Sequence, residues 1–258
     1  MLPRGVIGRH GVPGLRRDSL NLVDRAGELG YTIVYTRDEL LALPTSTEKV
    51  LGLFAPAHTF NDRTDQELRL YGGGPLYYPS APTIAEMLDV TLRLLEARGE
   101  QFLIVVEEEG SDNFANANNA IGTITALARA DTAIGVALDF VDRHPNTLMI
   151  TVADSDACGM EVFAVKDPRD HDMPLDLITN NGAPLDGPDG PGSVPFVSLP
   201  DQFGNRHHFG IAWADTEDLM GGIVARAHGL NASLLPSTVD NTDIYRMMYA
   251  TLFGKWLP

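Results

Sequence analysis

The sequence predicts an α/β fold built around a mostly parallel sheet sandwiched by helices. Stretches with helical periodicity alternate along much of the chain with short stretches that are almost continuously apolar. Continuously apolar strands are typical of parallel sheets that are covered by helices on both faces. At 258 residues the chain is also long enough to bury a sizeable core. We therefore expect a single α/β domain over residues 1–258.

The first third of the chain carries two helical and two strand patterns. The first helix has apolar side chains at helical spacing behind an aspartate and ends at Gly30. The strands are short and rich in β-branched or apolar residues. We predict helices at 18–29 and 37–42, strands at 31–35 and 49–55, and a turn-rich surface excursion at 56–82.

The middle of the chain carries the clearest patterns. Residues 82–99 have proline in the first turn, an amphipathic repeat and a terminal glycine, which together predict a helix. A buried strand is expected at 101–106, a long helix at about 118–143, and another buried strand at 147–153.

The last third begins with a change of composition. Residues 166–202 are rich in proline, glycine and aspartate and predict a loop-rich insert within the domain. Strands are expected to resume at 207–213 and 223–227. A closing helix is predicted at 240–253, with Asp240 or Asn241 as its cap.

The composition excludes several classes of protein. There are 35 acidic and 19 basic residues, and the resulting formal charge of -16 disfavours nucleic acid and favours cations as partners. The single cysteine, Cys158, excludes an internal disulfide framework and a cysteine-rich zinc module. No apolar run has the length of a membrane span, and the first residues lack the apolar core of a signal peptide.

Acidic and carboxamide side chains follow two of the predicted strands. Glu107–Asn116 comes directly after strand 101–106, and Asp154–Asp156 comes directly after strand 147–153. Ligands of parallel sheets bind at the carboxyl ends of the strands, and oxygen donors suit Mg²⁺, Ca²⁺ or Mn²⁺ better than zinc. Alternatives stay open, because the first cluster could be a solvated loop and Asp154–Ser155 could cap a turn.

Several of these segments together resemble the alkaline phosphatase family. The run FLIVVEEEGSDNFAN, a long helix and NTLMITVADSD are similar to the family's pattern of VEG, ID, H, a long helix and NTLVIVTADH. KVLGLFA and PTIAEM precede this run, and VDNTDI follows it, in the family's order. The resemblance covers about the C-terminal half of a full family member. It implies an alkaline phosphatase-like fold and a metal-dependent phosphate monoester hydrolase that acts on a small phosphate ester.

The resemblance also implies a set of metal ligands. Glu107 falls on the glutamate of the magnesium-type third metal, Asp112 on an aspartate of the first zinc, and Asp154 on an aspartate of the second zinc. Three family histidines are replaced by oxygen donors, at Asn116, Ser155 and Asp218. We therefore expect divalent metal ions, with Mg²⁺ and Ca²⁺ or Mn²⁺ favoured over Zn²⁺. His207 or His208 could substitute for Asp218 as a ligand.

No catalytic residue is assigned within the chain. The family's serine nucleophile, in an Asp-Ser-Ala motif, has no counterpart here and is expected upstream of residue 1, as is the N-terminal portion of the fold. The start at Leu2, in a Gly/Pro/Arg-rich loop that continues to Arg17, agrees with this expectation. Ser155 as the nucleophile is an alternative, although the resemblance gives it a metal-ligand position.

Two other functions are consistent with the same residues. The chain could be a non-catalytic divalent-cation-binding relative, or a phosphodiesterase or sulfatase-type member of the same superfamily. The resemblance further implies a homodimer and a periplasmic or extracellular location.

Overall fold

The computed structural model describes residues 18, 20–55, 57–70 and 72–257, so the Leu2–Arg17 loop lies outside the described residues. The described residues form two compact units. The first unit contains the residues up to Asn61 together with Pro75–Glu107 and Thr132–Val136. The second unit contains Asp62–Gly74, Glu108–Asp131 and the residues from Ala137 onward.

Seven α-helices and nine strands are found in the described residues. The helices are α1 (Leu22–Glu28), α2 (Arg37–Leu41), α3 (Asp65–Leu70), α4 (Ile84–Arg98), α5 (Gly110–Asn116), α6 (Ala120–Arg143) and α7 (Asn241–Phe253). The strands are β1 (Thr32–Val34), β2 (Val50–Gly52), β3 (Leu148–Thr151), β4 (Met160–Ala164), β5 (Leu185–Gly187), β6 (Gly190–Pro191), β7 (Phe196–Val197), β8 (His208–Trp213) and β9 (Arg226–Gly229).

The first unit is built on one parallel strand pair. Strands β1 and β2 pair in parallel, in register from Thr32 with Val50 to Val34 with Gly52. Helix α4 begins with a capping box and ends at Gly99, whose φ of 66° is the left-handed conformation that glycine adopts readily. A core cluster joins β1, α4 and the region around α2, and it consists of Val34, Leu40, Leu43, Val90 and Leu94. The predicted helix at 82–99 and the two short strands are therefore found, with shorter bounds.

The strand predicted at 101–106 is not found. Among the described residues this stretch joins no strand ladder. The side chains of Leu103 and Val105 are 59% and 86% exposed. An apolar run becomes a strand only when a neighbouring strand accepts its backbone hydrogen bonds, and the described part of the chain supplies no such neighbour.

The second unit contains antiparallel sheets. Strands β3 and β9 form one antiparallel pair, and β4, β8, β5 and β6 form a second sheet in which β7 also pairs with β8. A core cluster joins β8 to the end of α5 and the start of α6, and it consists of Ala115, Ala120, Cys158, Ile211 and Trp213. The loop-rich segment 166–202 thus contributes the three short strands β5, β6 and β7.

The expectation of a mostly parallel sheet is wrong for the described residues. Their only parallel ladder is the β1–β2 pair, and all of the other ladders are antiparallel. Parallel pairing needs a crossover connection, which is usually a helix. No α-helix lies between β3 and β9, and the pairs that these strands form are all antiparallel.

None of the described helices is both long and apolar enough to cross a membrane.

Two carboxylates are buried in the second unit. Asp65 at the start of α3 is 6% exposed, and Asp186 in β5 is 1% exposed. Asp186 Oδ2 accepts a hydrogen bond of 3.1 Å from Trp213 Nε1, whereas Asp65 Oδ2 has no hydrogen-bond partner. Gly190 packs so closely on Asp65 that a Cβ atom there would lie 2.7 Å from the Cβ of Asp65.

Candidate functional site

Helix α5 presents Asp112 and Asn116 one turn apart. Residues four positions apart lie on the same face of an α-helix, and Phe114 on the opposite side of α5 is completely buried. The Asn116 Nδ2 atom lies 3.4 Å from each carboxylate oxygen of Asp112. The helix start is held by Glu108, whose Oε1 accepts a hydrogen bond of 3.3 Å from the Gly110 N–H.

Asp218 joins this pair from the loop that follows β8. Asn116 Nδ2 donates a hydrogen bond of 2.9 Å to Asp218 Oδ1. Asn116 Oδ1 is buried and has no hydrogen-bond partner. The structure therefore brings together two carboxylates and a carboxamide. Asn116 and Asp218, which share a hydrogen bond, are 102 residues apart in the sequence. We call Asp112, Asn116 and Asp218 the donor group.

The surroundings of the donor group disfavour the ionised form of Asp112. Burial, followed by hydrogen bonding to Asp218 and the charge of Asp218, raises the pKa of Asp112 to about 6. Smaller contributions come from the charges of Glu109 and Asp154. A carboxyl group whose pKa is raised by burial and by a neighbouring carboxylate is stabilised in the ionised form by a nearby cation.

Asp154 and Ser155 lie in the turn that follows β3. Asp154 is exposed and near enough to Asp112 to raise its pKa. Ser155 Oγ accepts a hydrogen bond of 3.1 Å from the Ala157 N–H, so the hydroxyl caps the turn. The structure places Asp154 within electrostatic range of the donor group. The part of Ser155 as a metal ligand stays a prediction.

Glu107 is the last residue of its segment in the first unit. It is exposed and lies outside the regular secondary structure. Its part as the third-metal ligand stays a prediction.

The two adjacent histidines are engaged away from Asp218. His207 Nε2 lies 3.0 Å from Asp201 Oδ2, and the His208 ring stacks on His171 with a centroid distance of 3.7 Å. These residues stand at the start of β8, and Asp218 lies in the loop five residues after its end. The substitution of either histidine for Asp218 stays a prediction.

Sequence reasoning missed two acidic residues beside the site. The sequence gives Glu108 only as part of the first acidic cluster, but its Oε1 accepts the Gly110 N–H at the start of α5 and its Oε2 lies 3.8 Å from Arg129 Nε. The sequence gives Asp156 only as part of the second acidic cluster, and its side chain packs against Gly221. The contact of Glu108 with Arg129 and the contact of Asp156 with Gly221 both depend on tertiary structure, so no local pattern indicates them.

The chemistry of the donor group fits a hard divalent cation. Among the described residues no three His, Cys, Asp or Glu side chains could hold a metal ion together. The donor group contains only two side chains of these types, and its third donor is the carboxamide of Asn116. The unpartnered, buried Oδ1 of Asn116 is an oxygen that a bound ion would satisfy.

The family model described as alkaline phosphatase matches residues 3–172, which is more than half of the chain. The chain belongs to the alkaline phosphatase family. The family assignment made from the sequence is thereby confirmed.

Three relatives show how much of a family member the chain represents. It is 26% identical over 244 residues to alkaline phosphatase of Escherichia coli, covering 90% of this chain and 47% of that protein. It is 26% identical over 246 residues to streptomycin-6-phosphate phosphatase of Streptomyces griseus, covering 90% and 50%. It is 30% identical over 228 residues to alkaline phosphatase H of Pseudomonas aeruginosa, covering 84% and 44%. The chain thus spans about half the length of these alkaline phosphatase relatives.

Solved structures of alkaline phosphatases share the fold. The alkaline phosphatase of Thermus thermophilus superposes with a TM-score of 0.63 at 20% identity, covering 93% of this chain and 59% of that one. A variant of TAB5 alkaline phosphatase with magnesium bound superposes with a TM-score of 0.61 at 20% identity, covering 94% and 57%. The chain therefore has an α/β alkaline phosphatase-like fold.

Proposed function

We propose that this chain is the metal-binding part of a metal-dependent phosphate monoester hydrolase of the alkaline phosphatase family. The observation that carries the proposal is the convergence of Asp112, Asn116 and Asp218, which come from two distant segments. In the resemblance these same positions fall on ligands of one metal ion. The raised pKa of Asp112 supports a cation at this place.

The proposed ligands divide among three ions. Asp112, Asn116 and Asp218 hold one ion, Asp154 and Ser155 contribute to a second, and Glu107 contributes to a third. All six side chains offer oxygen, which favours Mg²⁺ and Ca²⁺ or Mn²⁺ over Zn²⁺. The magnesium bound to the TAB5 relative supports a divalent metal in this family.

The chain's own residues would prepare the site for a phosphate ester. Asn116 holds Asp218 through Nδ2 and leaves Oδ1 for an ion. The carboxylates lie on a helix and on two loops that follow strands. A bound divalent ion would neutralise the charge of the transferring phosphoryl group and lower the pKa of the attacking hydroxyl.

The nucleophile is proposed to come from a part of the fold outside these 258 residues. The sequence contains no Asp-Ser-Ala motif, and the chain spans about half the length of its relatives. Purified chain incubated with p-nitrophenyl phosphate and Mg²⁺, Ca²⁺, Mn²⁺ or Zn²⁺ is expected to give no serine-dependent turnover. Robust turnover that is lost in Ser155→Ala would contradict the assignment of Ser155 to the metal site.

Metal binding itself is tested by Asp112→Asn. Calorimetric titration with Mn²⁺ and Mg²⁺ is expected to show binding to the wild type and affinity lower by about 10-fold or more in the variant, because a charged ligand becomes neutral. The matched control is Asp131→Asn, which removes an exposed carboxylate from helix α6. Equal metal affinities of Asp112→Asn and the control would show that the donor group does not bind the metal ion.

A non-catalytic cation-binding protein is the alternative that the lack of an Asp-Ser-Ala motif in this sequence favours. It predicts the same ion binding with no affinity for inorganic phosphate in the metal-loaded chain. The hydrolase predicts that phosphate binds only when metal is present. The comparison of phosphate titrations with and without Mn²⁺ separates the two. Profiling with phosphodiesters and sulfate esters separates the sister hydrolases.

Assembly and location follow from the resemblance alone. We propose a homodimer with a periplasmic or extracellular location. Sedimentation of the purified chain tests the assembly, and cell fractionation tests the location.

A further inference from the structure

The loop that carries Asp218 is bound to the turn that follows β3. The Leu219 N–H donates a hydrogen bond of 2.6 Å to the Ala157 carbonyl oxygen. In the reverse direction, the Asp156 N–H donates a bond of 3.4 Å to the Leu219 carbonyl oxygen. The 154–159 turn also contacts α5, because Cys158 Sγ lies 2.8 Å from the Ala115 carbonyl oxygen. The turn therefore connects the two segments that supply the donor group.

The Asp156 side chain fits against the backbone of the same loop. A Cβ atom built on Gly221 would overlap Asp156 Oδ2 and lie 2.5 Å from its Cγ. Glycine is therefore the residue that allows this close approach at 221. The neighbouring Gly222 is different, since a Cβ atom there would have no atom within 4 Å.

The hydrogen bonding of Asp156 indicates a role of shape more than of charge. Asp156 Oδ1 is buried and has no hydrogen-bond partner. A buried, unpartnered carboxylate oxygen is unfavourable, so a hydrogen bond at Oδ1 is not the reason for an aspartate at position 156. Its close packing on Gly221, beside the two backbone bonds to Leu219, does explain it.

We propose that Asp156 is a positioning residue, which packs against Gly221 and thereby holds the Asp218 loop in contact with Asn116. This inference rests on the proposed metal site, because it assigns to Asp156 the placement of one of its ligands. Asp156 acts through Asp218 and does not bind the ion. The side chains that orient metal ligands typically contribute about 10-fold to 100-fold to metal affinity.

Two pairs of variants test the proposal in the full chain. Asp156→Ala and Gly221→Ala are expected to lower Mn²⁺ affinity by about 10-fold. They are also expected to speed hydrogen exchange at the Leu219 amide. Asp156→Asn keeps the shape of the side chain, and Gly222→Ala adds a methyl group in open space. Both of these variants should match the wild type within about twofold, because neither disturbs the contact that orients the ligand.

The outcomes separate this inference from the proposed function. If Asp156→Asn weakens Mn²⁺ binding as much as Asp156→Ala does, Asp156 is a ligand and the positioning role is wrong. Unchanged Leu219 exchange in Asp156→Ala also overturns it. If the wild type binds no Mn²⁺, the proposed function fails, whereas Leu219 exchange still decides whether Asp156 holds the loop. Should Gly221→Ala fail to fold, the two Asp156 variants carry the test.

Discussion

Replacing Asn116 and Asp218 together by histidine is expected to raise the affinity for Zn²⁺ relative to Mg²⁺ by on the order of 100-fold. The physical reason is the donor type, because imidazole nitrogen binds zinc more strongly than a carboxamide oxygen does. Asn116 Nδ2 already lies 2.9 Å from Asp218 Oδ1, so two imidazoles at these positions start close to one ion. Competition with a chromogenic zinc chelator measures the change.

The control for this double variant is a histidine placed nearby but outside the donor group. Asp215→His serves, because Asp215 is exposed and lies three residues before Asp218. It should leave the zinc affinity within about threefold of the wild type, since one exposed imidazole adds no chelate. An unchanged preference in the double variant would mean that these positions do not bind the metal.

Replacing Asp65 by asparagine is expected to stabilise the protein increasingly as the pH rises. Burial and the charge of Asp186 raise the pKa of Asp65 to about 7, while Arg69 lowers it and Asp189 raises it slightly. Burial likewise raises the pKa of Asp186 to about 6, against the hydrogen bonds from Trp213 and the Ala120 backbone and the charge of Arg69. Burial therefore disfavours the ionised form of both carboxyl groups.

The sign of the pH dependence follows from proton binding. Between the ordinary pKa of about 3.8 and the folded value of about 7, the folded state holds a proton that the unfolded state has lost. Stability then falls as the pH rises, by about 3 kcal/mol between pH 5 and pH 8 for this one group. The stability of Asp65→Asn lacks that fall, so the difference in stability between the variant and the wild type grows from pH 5 to pH 8.

Urea unfolding at several pH values measures this advantage. The control is Glu67→Gln, which neutralises an exposed residue of the same helix. It should show nearly the pH dependence of the wild type. A constant difference between Asp65→Asn and the wild type from pH 5 to pH 8 would show that Asp65 is ionised throughout, contrary to its burial beside Asp186.

Much of the local structure could be predicted because it depends on neighbouring residues. The capping box at Thr83 and Glu86 and the glycine at 99 fix the ends of α4 within a residue or two of the prediction. Asp112 and Asn116 share a face because they are four residues apart in a helix. The pairing of strands could not be predicted in the same way. The apolar run 101–106 has the composition of a buried strand, yet strand formation depends on a partner elsewhere in the chain.

The contacts between distant segments set the limit of prediction at the site. The resemblance matches Asp218 to a family histidine, and only the structure places this side chain against Asn116. The Asp156 contact with Gly221 and the burial of Asp65 have no local pattern, because each depends on how separate segments pack. A sequence shows that these residues are acidic, but only the fold shows which of them are buried or meet.

The most direct test of the central claim is electron paramagnetic resonance of Mn²⁺ bound to the wild-type chain. The claim is that oxygen donors at Asn116, Ser155 and Asp218 have replaced the family's histidines to form a site for hard cations. It predicts a bound Mn²⁺ with no coupling to a directly bound ¹⁴N nucleus, and the appearance of that coupling in Asn116→His. Strong ¹⁴N coupling in the wild type, or no Mn²⁺ binding at all, would contradict it.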